Sequence, residues 1–457
     1  MKVLKFGGTS VGTAESLRNV KKIVEALVEP AVVVVSALGG LTDKLIATAE
    51  KAASGDPSYK DDVEGIRKRH EDIIRAVVSE DRVESCREKV VPLLDELSRV
   101  YDGLSLIGDL PIKTLNTVVS FGERMSSHIV NWMIPTSSYV DSLSIVKTEK
   151  WFGKDIADTK LTNENIIKEI HPEKGHPVIA GGFISTDRDT GEITNLGRGG
   201  SDYTAALFAA ALDADLLEIW TDVDGFMTSD PRIIPEARII PMMSFVESME
   251  LCSYGAKVIY PPTIYPVFHK NIPIKILNTF NPEAPGTLIK DFQFKQLSPF
   301  GKVRGLSALK DTALINIRGS LVQNMVAISS RTFNILAKNG ISIFLVSSNE
   351  DNECFSFSLK NPDVEEAISL IQREFAPEIS SGLIKQVESV GGLSIVAIVG
   401  EEILSEGYIS PRITNTLERS SISPAAISEG ASRTTVTISV PEEATNLTLQ
   451  LIHSLFF

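Results

Sequence analysis

The chain has 457 residues, 43% of them hydrophobic, which is material for several cores and a length that suggests two to four domains. A net charge of −14, from 45 Lys and Arg against 59 Asp and Glu, argues against nucleic acid or an anionic membrane as the main partner, while leaving room for a locally basic pocket. Three widely spaced cysteines (Cys86, Cys252, Cys354) fit neither a disulfide framework nor a metal centre, and the opening residues read as a core strand rather than a signal peptide, so a reducing cytoplasm is the expected compartment.

The first element is the strand Val3-Leu4-Lys5-Phe6, followed by Gly7, Gly8, Thr9 and Ser10, then by a helical stripe of Leu17, Val20, Val24 and Leu27. Such a junction can offer backbone N–H groups and a helix N-terminus to an anion, with Lys5 beside them; it can equally be a tight turn with a Thr or Ser cap. The β-branched run from Ala31 reads as a strand buried on both faces, and it leads into Ser36-Ala-Leu-Gly-Gly-Leu-Thr42, either a polar cradle or a capped loop. Residues 63–101 are charge-rich and helically periodic, and their charges read as a solvated helix face. Ser120-Phe-Gly-Glu-Arg124 reads as a small-residue turn before a helix from Met125, with Glu123 either in an exposed ion pair or available to an ammonium.

A second buried strand is expected at 178–183. Beyond it, Leu196-Gly-Arg-Gly-Gly-Ser-Asp-Tyr-Thr204 holds three glycines in four positions, costly to order unless a backbone must come close to something. Arg198 inside that loop presents a planar fork suited to a carboxylate, and Ser201 or Asp202 can cap the helix that follows. A third strand at 216–221 runs into Thr221-Asp-Val-Asp-Gly-Phe-Met-Thr-Ser-Asp-Pro-Arg232, whose polarity exceeds what a turn requires; Tyr254-Gly-Ala-Lys257 follows in a helical stretch. This alternation predicts an α/β fold with a largely parallel sheet and a ligand at the carboxyl ends of its strands. After Pro282-Glu-Ala-Pro-Gly286 a repeat appears: Ile328-Ser-Ser-Arg-Thr-Phe-Asn-Ile-Leu336 returns as Ile409-Ser-Pro-Arg-Ile-Thr-Asn-Thr-Leu417, and Gly319 maps onto Gly400 at the same offset of 81. Two copies fit a pair of small α+β modules.

In order and wording, KFGGTSV, VVVSA, GER, GRGGSDYTAA, TDVDGFMTSDPR and YGAKV resemble the aspartate kinases of the amino-acid kinase superfamily, over nearly the whole chain. The kinase half looks closest to enzymes fused to homoserine dehydrogenase, which leaves open a single-function enzyme or the kinase part of a longer one. The resemblance implies an open, mostly parallel sheet sandwiched by helices over 1–292. It also implies two ferredoxin-like ACT modules at 303–385 and 390–457, the first in some relatives completed by the chain's last strand, here 447–457. It implies ATP-dependent phosphorylation of the β-carboxylate of L-aspartate to 4-phospho-L-aspartate, toward lysine, threonine and methionine, under feedback by lysine or threonine, in a homodimer or larger assembly.

By the same resemblance, Lys5 with the amides of Gly7 and Gly8 stabilises the transferred phosphoryl group, and Asp202 organises Lys5. Ser36, Thr42, Glu123 and Arg198 hold aspartate, with Ser201 beside them. Thr221, Asp222, Asp230 and Arg232 line the ATP site, Lys257 reaches its phosphates, and Mg²⁺ is held mainly by ATP and water, with no protein metal site. Met227 stands where many relatives have tyrosine, and Ser348 and Glu429 stand where threonine-binding relatives often have glutamine. A kinase for another amino acid, such as glutamate, and a catalytically silent amino-acid sensor on the same scaffold are the alternatives; the joint presence of Lys5, Asp202 and Lys257 argues against the sensor. The absence of G-x-x-x-x-G-K-[ST] and of the protein-kinase motifs excludes those two classes.

Overall fold

Lys2–Phe6 (β1) and Ala31–Val35 (β2) are apolar runs in which every residue but Lys2 is buried, as strands covered on both faces must be. They lie side by side in parallel, Phe6 opposite Val35, at the centre of a sheet in a computed structural model that describes residues 1–151, 153–291, 302–319, 325–349, 354–401, 403, 407, 409–429 and 433–457. The remaining strands of this half are Ser138–Val140 (β3), Lys147–Trp151 (β4), Lys154–Ala157 (β5), Val178–Gly181 (β6), Ile184–Asp187 (β7), Ile193–Asn195 (β8), Leu216–Thr221 (β9), Met242–Met243 (β10), Ile274–Asn278 (β11) and Thr287–Ile289 (β12). Eight of them form one sheet in the order β10-β12-β11-β9-β1-β2-β6-β3, parallel throughout except between β11 and β12; β5-β4-β7-β8 form a smaller sheet. The expected α/β class with a mostly parallel sheet is what the chain adopts.

The helices Ala14–Glu25 (α1), Leu41–Ala53 (α2), Tyr59–Val77 (α3), Glu80–Ile107 (α4) and Ile112–Met133 (α5) share one core with β1 and β2, in which Tyr101, Phe121, Leu94 and Ile74 meet Leu4, Phe6 and Val33. The cap of α1 is Thr13, not Thr9 or Ser10: the Thr13 side chain accepts from the Ser16 amide, and the Ser16 hydroxyl accepts from the Thr13 amide. Ser10 is instead fully buried and shares a 2.7 Å hydrogen bond with the Thr279 hydroxyl.

The chain divides into two compact units. One is Met1–Phe226 with Pro241–Phe245 and Val258–Phe292; the other is Met227–Ile240 with Val246–Lys257 and Gln293–Phe457. The second unit is built on two long strands, Gly305–Gly319 (β13) and Ile384–Val399 (β16), flanked by Leu345–Asn349 (β14), Cys354–Lys360 (β15), Ala426–Glu429 (β17) and Thr435–Pro441 (β18) in the antiparallel order β14-β15-β13-β16-β18-β17. The repeat is visible in its packing. Ile315, Ile317, Ile328, Leu336, Ile341, Phe355, Phe357, Leu359 and Ile371 form one core, and the residues 81 positions on form the other: Val396, Ile398, Ile409, Leu417, Ile422, Val436, Ile438, Val440 and Ile452.

The long strands are shared. Residues 312–319 of β13 pair with 384–393 of β16 beside β15, while 305–309 pair with 395–399 beside β18. Each module therefore borrows a strand half from the other. The chain's end is not the expected strand: Thr445–Phe456 is a helix whose Leu449 and Ile452 point into the second core. Its spacing of apolar residues, Leu449, Ile452 and Phe456, has helical period.

Gly319 and Gly400 occupy equivalent places. A Cβ on Gly319 would stand 2.0 Å from Leu383 O, and one on Gly400 1.9 Å from Lys302 O. Gly319→Ala and Gly400→Ala are each expected to destabilise this unit by about 1–3 kcal/mol, to similar extents. Chemical denaturation checks it, and a midpoint unchanged in either variant would show that the backbone contact is not required.

Candidate active site

The carboxyl ends of β1, β2 and β6 and the loop 197–200 surround a cavity of about 300 Å³. Its wall brings together Lys5, Gly8, Ser36, Thr42, Glu123, Arg198, Ser201 and Asp202, residues spread over two hundred positions of sequence, together with Phe183 and the backbone of 37–40. Lys5 is 9% exposed, and its Nζ lies 2.6 Å from Asp202 Oδ1. Asp202 sits in the first turn of the helix Gly200–Ala211, so the carboxylate also faces the positive end of a helix. The cap of that helix is Gly199, at φ 68°, rather than Ser201 or Asp202, both of which lie inside its first turn and are free to face the cavity.

Glu123 is not in a turn. Ser120 to Arg124 lies in the middle of α5, and Gly122 serves packing there: a Cβ on it would stand 2.7 Å from Ala37 Cβ. The missing side chain lets the helix close on the loop 36–42. Glu123 Oε1 accepts from the Ala37 amide at 3.0 Å, while Oε2 is buried without a hydrogen-bond partner among the described residues. Burial pushes the carboxyl up to about 8, against the opposing pull of the Ala37 N–H and the Lys5 charge. A buried carboxylate oxygen with no partner is a ready seat for an ammonium group. Arg124, one position on, turns away: it stacks over Phe121 and lies 3.7 Å from Glu96.

Gly7 does not offer its amide to an anion. Its N–H donates to Trp220 O at 3.1 Å, and its lack of a side chain keeps space beside Lys5, since a Cβ would stand 3.3 Å from Nζ. Gly8 does line the cavity. The expected strand at 178–183 stops at Gly181, because Phe183 takes a left-handed conformation at φ 67°. Its N–H donates to Thr204 Oγ1 at 3.0 Å and its carbonyl accepts from Leu196, which hold a strained backbone against the cavity. Phe183 and the Ala37 amide are members of the site that sequence reasoning missed; the glycine pair before Phe183 was the available signal.

The residues assigned to a nucleotide do not line this cavity. Thr221 closes β9 and its hydroxyl donates to Asp222 at 3.2 Å. Asp230, Arg232 and Lys257 belong to the second unit. There Asp230 grips Arg232 through both carboxylate oxygens, at 2.9 and 2.7 Å, and the arginine holds the Asp230 carboxyl below its ordinary range. Lys257 is exposed and is not helical: the helix Phe245–Ser253 ends before it, and Gly255 at φ 111° breaks the continuation.

Residues 1–278 match the amino acid kinase family. Over its whole length the chain is 31% identical to the bifunctional aspartokinase/homoserine dehydrogenase of Haemophilus influenzae, of which it covers 56%; it spans about half the length of the bifunctional relatives it matches. Among solved structures it is similar to E. coli aspartokinase III in complex with aspartate and ADP (R-state), with a TM-score of 0.84, 27% identity and 99% of both chains covered. It is also similar to the same enzyme in complex with lysine and aspartate (T-state), with a TM-score of 0.74, 27% identity, and 100% and 99% covered.

The raised Glu123 carboxyl sets the sign of a pH effect. With burial holding the Glu123 carboxyl up at about 8, an ammonium seated on Oε2 would favour its charged form. Binding of an α-amino acid at about pH 7 is therefore expected to release close to one proton, with affinity tightening as pH rises toward about 8. Calorimetry in two buffers of different ionisation enthalpy measures this; binding without proton release would remove Glu123 from the ammonium pole.

Proposed function

The chain belongs to the amino acid kinase family, and on that footing we propose that it transfers the γ-phosphoryl group of ATP to the β-carboxylate of L-aspartate. The observation that carries this is one small cavity holding both a buried carboxyl with an unpartnered oxygen, Glu123, and a buried lysine clamped by an aspartate, Lys5 with Asp202. An amino acid needs an anion for its ammonium, and two anions brought together for phosphoryl transfer need a cation between them.

Aspartate binds with its ammonium on Glu123 and its α-carboxylate on the Arg198 fork beside Ser201, with Ser36 and Thr42 completing the cradle. Its side chain then points to Lys5. A β-carboxylate oxygen attacks the γ-phosphorus, the bond from that phosphorus to the bridging oxygen of the β-phosphate breaks, and ADP leaves. The nucleophile is already anionic, so no base removes a proton. What must be overcome is repulsion between carboxylate and triphosphate, and Lys5 supplies a preorganised, water-poor positive charge where charge shifts. Asp202 holds the ammonium in place.

Asp222, Thr221, Asp230 and Lys257 contact the nucleotide. Arg232 acts by shaping Asp230, since its guanidinium is already engaged. Mg²⁺ carried on the ATP phosphates would supply charge neutralisation there, and Asp202, paired with Lys5, is not offered as a ligand to it.

The paired repeat in the second unit is the seat of feedback by an amino acid, lysine or threonine, and assembly of two or more chains accompanies it. Support comes from the two edge strands β14 and β17, which carry the equivalent segments around Ser347 and Ser428. The side chain of Ser348 and the segments 350–353 and 430–432 lie outside the described residues, while Glu429 is exposed on β17.

Lys5→Ala is expected to lower kcat for ATP-dependent aspartate phosphorylation by about a thousandfold with the fold intact by circular dichroism. Near-normal turnover would sink the assignment of Lys5, and a wild-type protein that binds ATP but phosphorylates only glutamate would redirect the substrate. Steady-state assays with lysine or threonine added are expected to show inhibition by one of them; indifference to both would leave the repeat a structural element.

A further inference from the structure

The helices over residues 59–107 carry long runs of charge that a sequence reading assigns to a solvated face. One of these charges does not behave that way. Arg69, on α3, is half-buried, and a single terminal nitrogen of its guanidinium donates to Gly12 O at 3.0 Å and to Gly39 O at 2.8 Å. Gly12 lies in the loop 7–13 that follows β1, the strand that carries Lys5. Gly39 belongs to the loop 36–42 that carries Ser36, Thr42 and the Ala37 amide on Glu123. We infer that Arg69 is a positioning residue for phosphoryl transfer, clasping these two glycine loops together and fixing the direction of the backbone amide of Gly40; the inference rests on the kinase reading above.

Three observations carry it. First, the loops approach closely at their glycines: a Cβ on Gly39 would stand 2.9 Å from Gly8 O, and one on Gly12 3.4 Å from Gly39 N. At the glycines themselves no side chain limits the backbone, which retains wide freedom unless something restrains it. Second, Arg69 acts from outside the cavity. It lines a separate open groove with Gly12, Thr13, Lys68 and Asp72, whereas Gly8, Gly39 and Gly40 line the cavity itself. Third, the peptide between Gly39 and Gly40 is trans, so its carbonyl and its N–H point in opposite directions. A bond that draws Gly39 O toward Arg69 turns the Gly40 N–H away from Arg69, on a residue of the cavity wall.

Arginine suits this role. Its guanidinium stays charged, and one terminal nitrogen carries two hydrogens in a fixed plane, enough for two carbonyls at once. A second arginine offers an internal control: Arg18 of α1 donates to Ala76 O at the end of α3 at 3.0 Å, a bond of the same kind that involves no residue of the cavity wall.

The test uses the full chain with Arg69→Met, Arg69→Lys and, as control, Arg18→Met. Wild-type phosphorylation of aspartate is measured first; its absence would fail the kinase reading and not this one, which is then read by hydrogen exchange alone. In Arg69→Met, peptides covering 7–12 and 36–42 are expected to exchange at least about tenfold faster, while the same peptides in Arg18→Met keep the wild-type rate. On activity, Arg69→Met is expected to lose about 10- to 100-fold in kcat with the KM for ATP within about twofold. Arg69→Lys, whose ammonium can reach one or both carbonyls, is expected to recover much of the loss. Should Arg69→Met fail to fold, Arg69→Lys and Arg18→Met carry the comparison. Unchanged exchange in both loops, kcat within about twofold of wild type, or equal losses in Arg18→Met and Arg69→Met would each overturn the inference.

Discussion

A buried ammonium group at the end of a central strand is the constraint on which this site depends. Lys5 alternates into the cavity from β1, and at 9% exposure it has lost most of its water; such a charge is costly unless an anion sits against it. Asp202, 2.6 Å away, is that anion, and it comes from the first turn of a helix almost two hundred residues later. The pair thereby fixes the helix Gly200–Ala211 against β1. Ser201 is carried into the wall by the same turn, and Arg198 by the glycine loop just before it. Glu123 completes the electrostatics in the opposite sense, since its second oxygen has no hydrogen-bond partner among the described residues and burial pushes its carboxyl up to about 8. One pole of the cavity is satisfied before any ligand arrives and the other is left unmatched, which is the asymmetry expected of a site that selects a zwitterion.

The sheet was legible because its strands are runs of β-branched residues ending in glycine and hydroxyls, and a parallel α/β arrangement follows from that alternation with helices. The residues of the site were legible for a different reason, since KFGG, GER and GRGGSD are recognisable as wording. What the sequence could not disclose was the service each glycine performs. Gly122 reads as a turn, yet it sits inside a helix because Ala37 occupies the space a side chain would need. Gly7 reads as an anion-binding amide, yet that amide is spent on Trp220 O. Both errors have one origin: a glycine marks a close approach, but local sequence does not say what approaches. Arg69 was hidden more deeply, among solvated charges of the same helix, because its partners are carbonyl oxygens that leave no trace in residue identity.

The 81-residue repeat shows the opposite case, where periodicity held through to packing. Two cores match position by position, and even the cation over an aromatic ring recurs, Arg331 on Phe375 and Arg412 on Phe456. The departure lies in the strands. Each long strand serves both modules, so the pair is one interlocked body rather than two beads on a string. The final helix belongs to that body because its apolar residues have helical spacing and fill the second core.

That second core also receives a guest. Ile234 packs among Ile403, Ile413, Leu417 and Leu449, and Thr228 just before it is tied by its carbonyl to the Leu306 amide and by its hydroxyl to His453 of the final helix at 3.0 Å. Asp230 and Arg232, the residues proposed for the nucleotide, lie between Thr228 and Ile234. They are thus held by the packing of the repeat and not by the sheet that positions Lys5. A segment anchored at both ends to one close-packed core follows that core when it shifts, because interiors at such density move as bodies rather than yield locally.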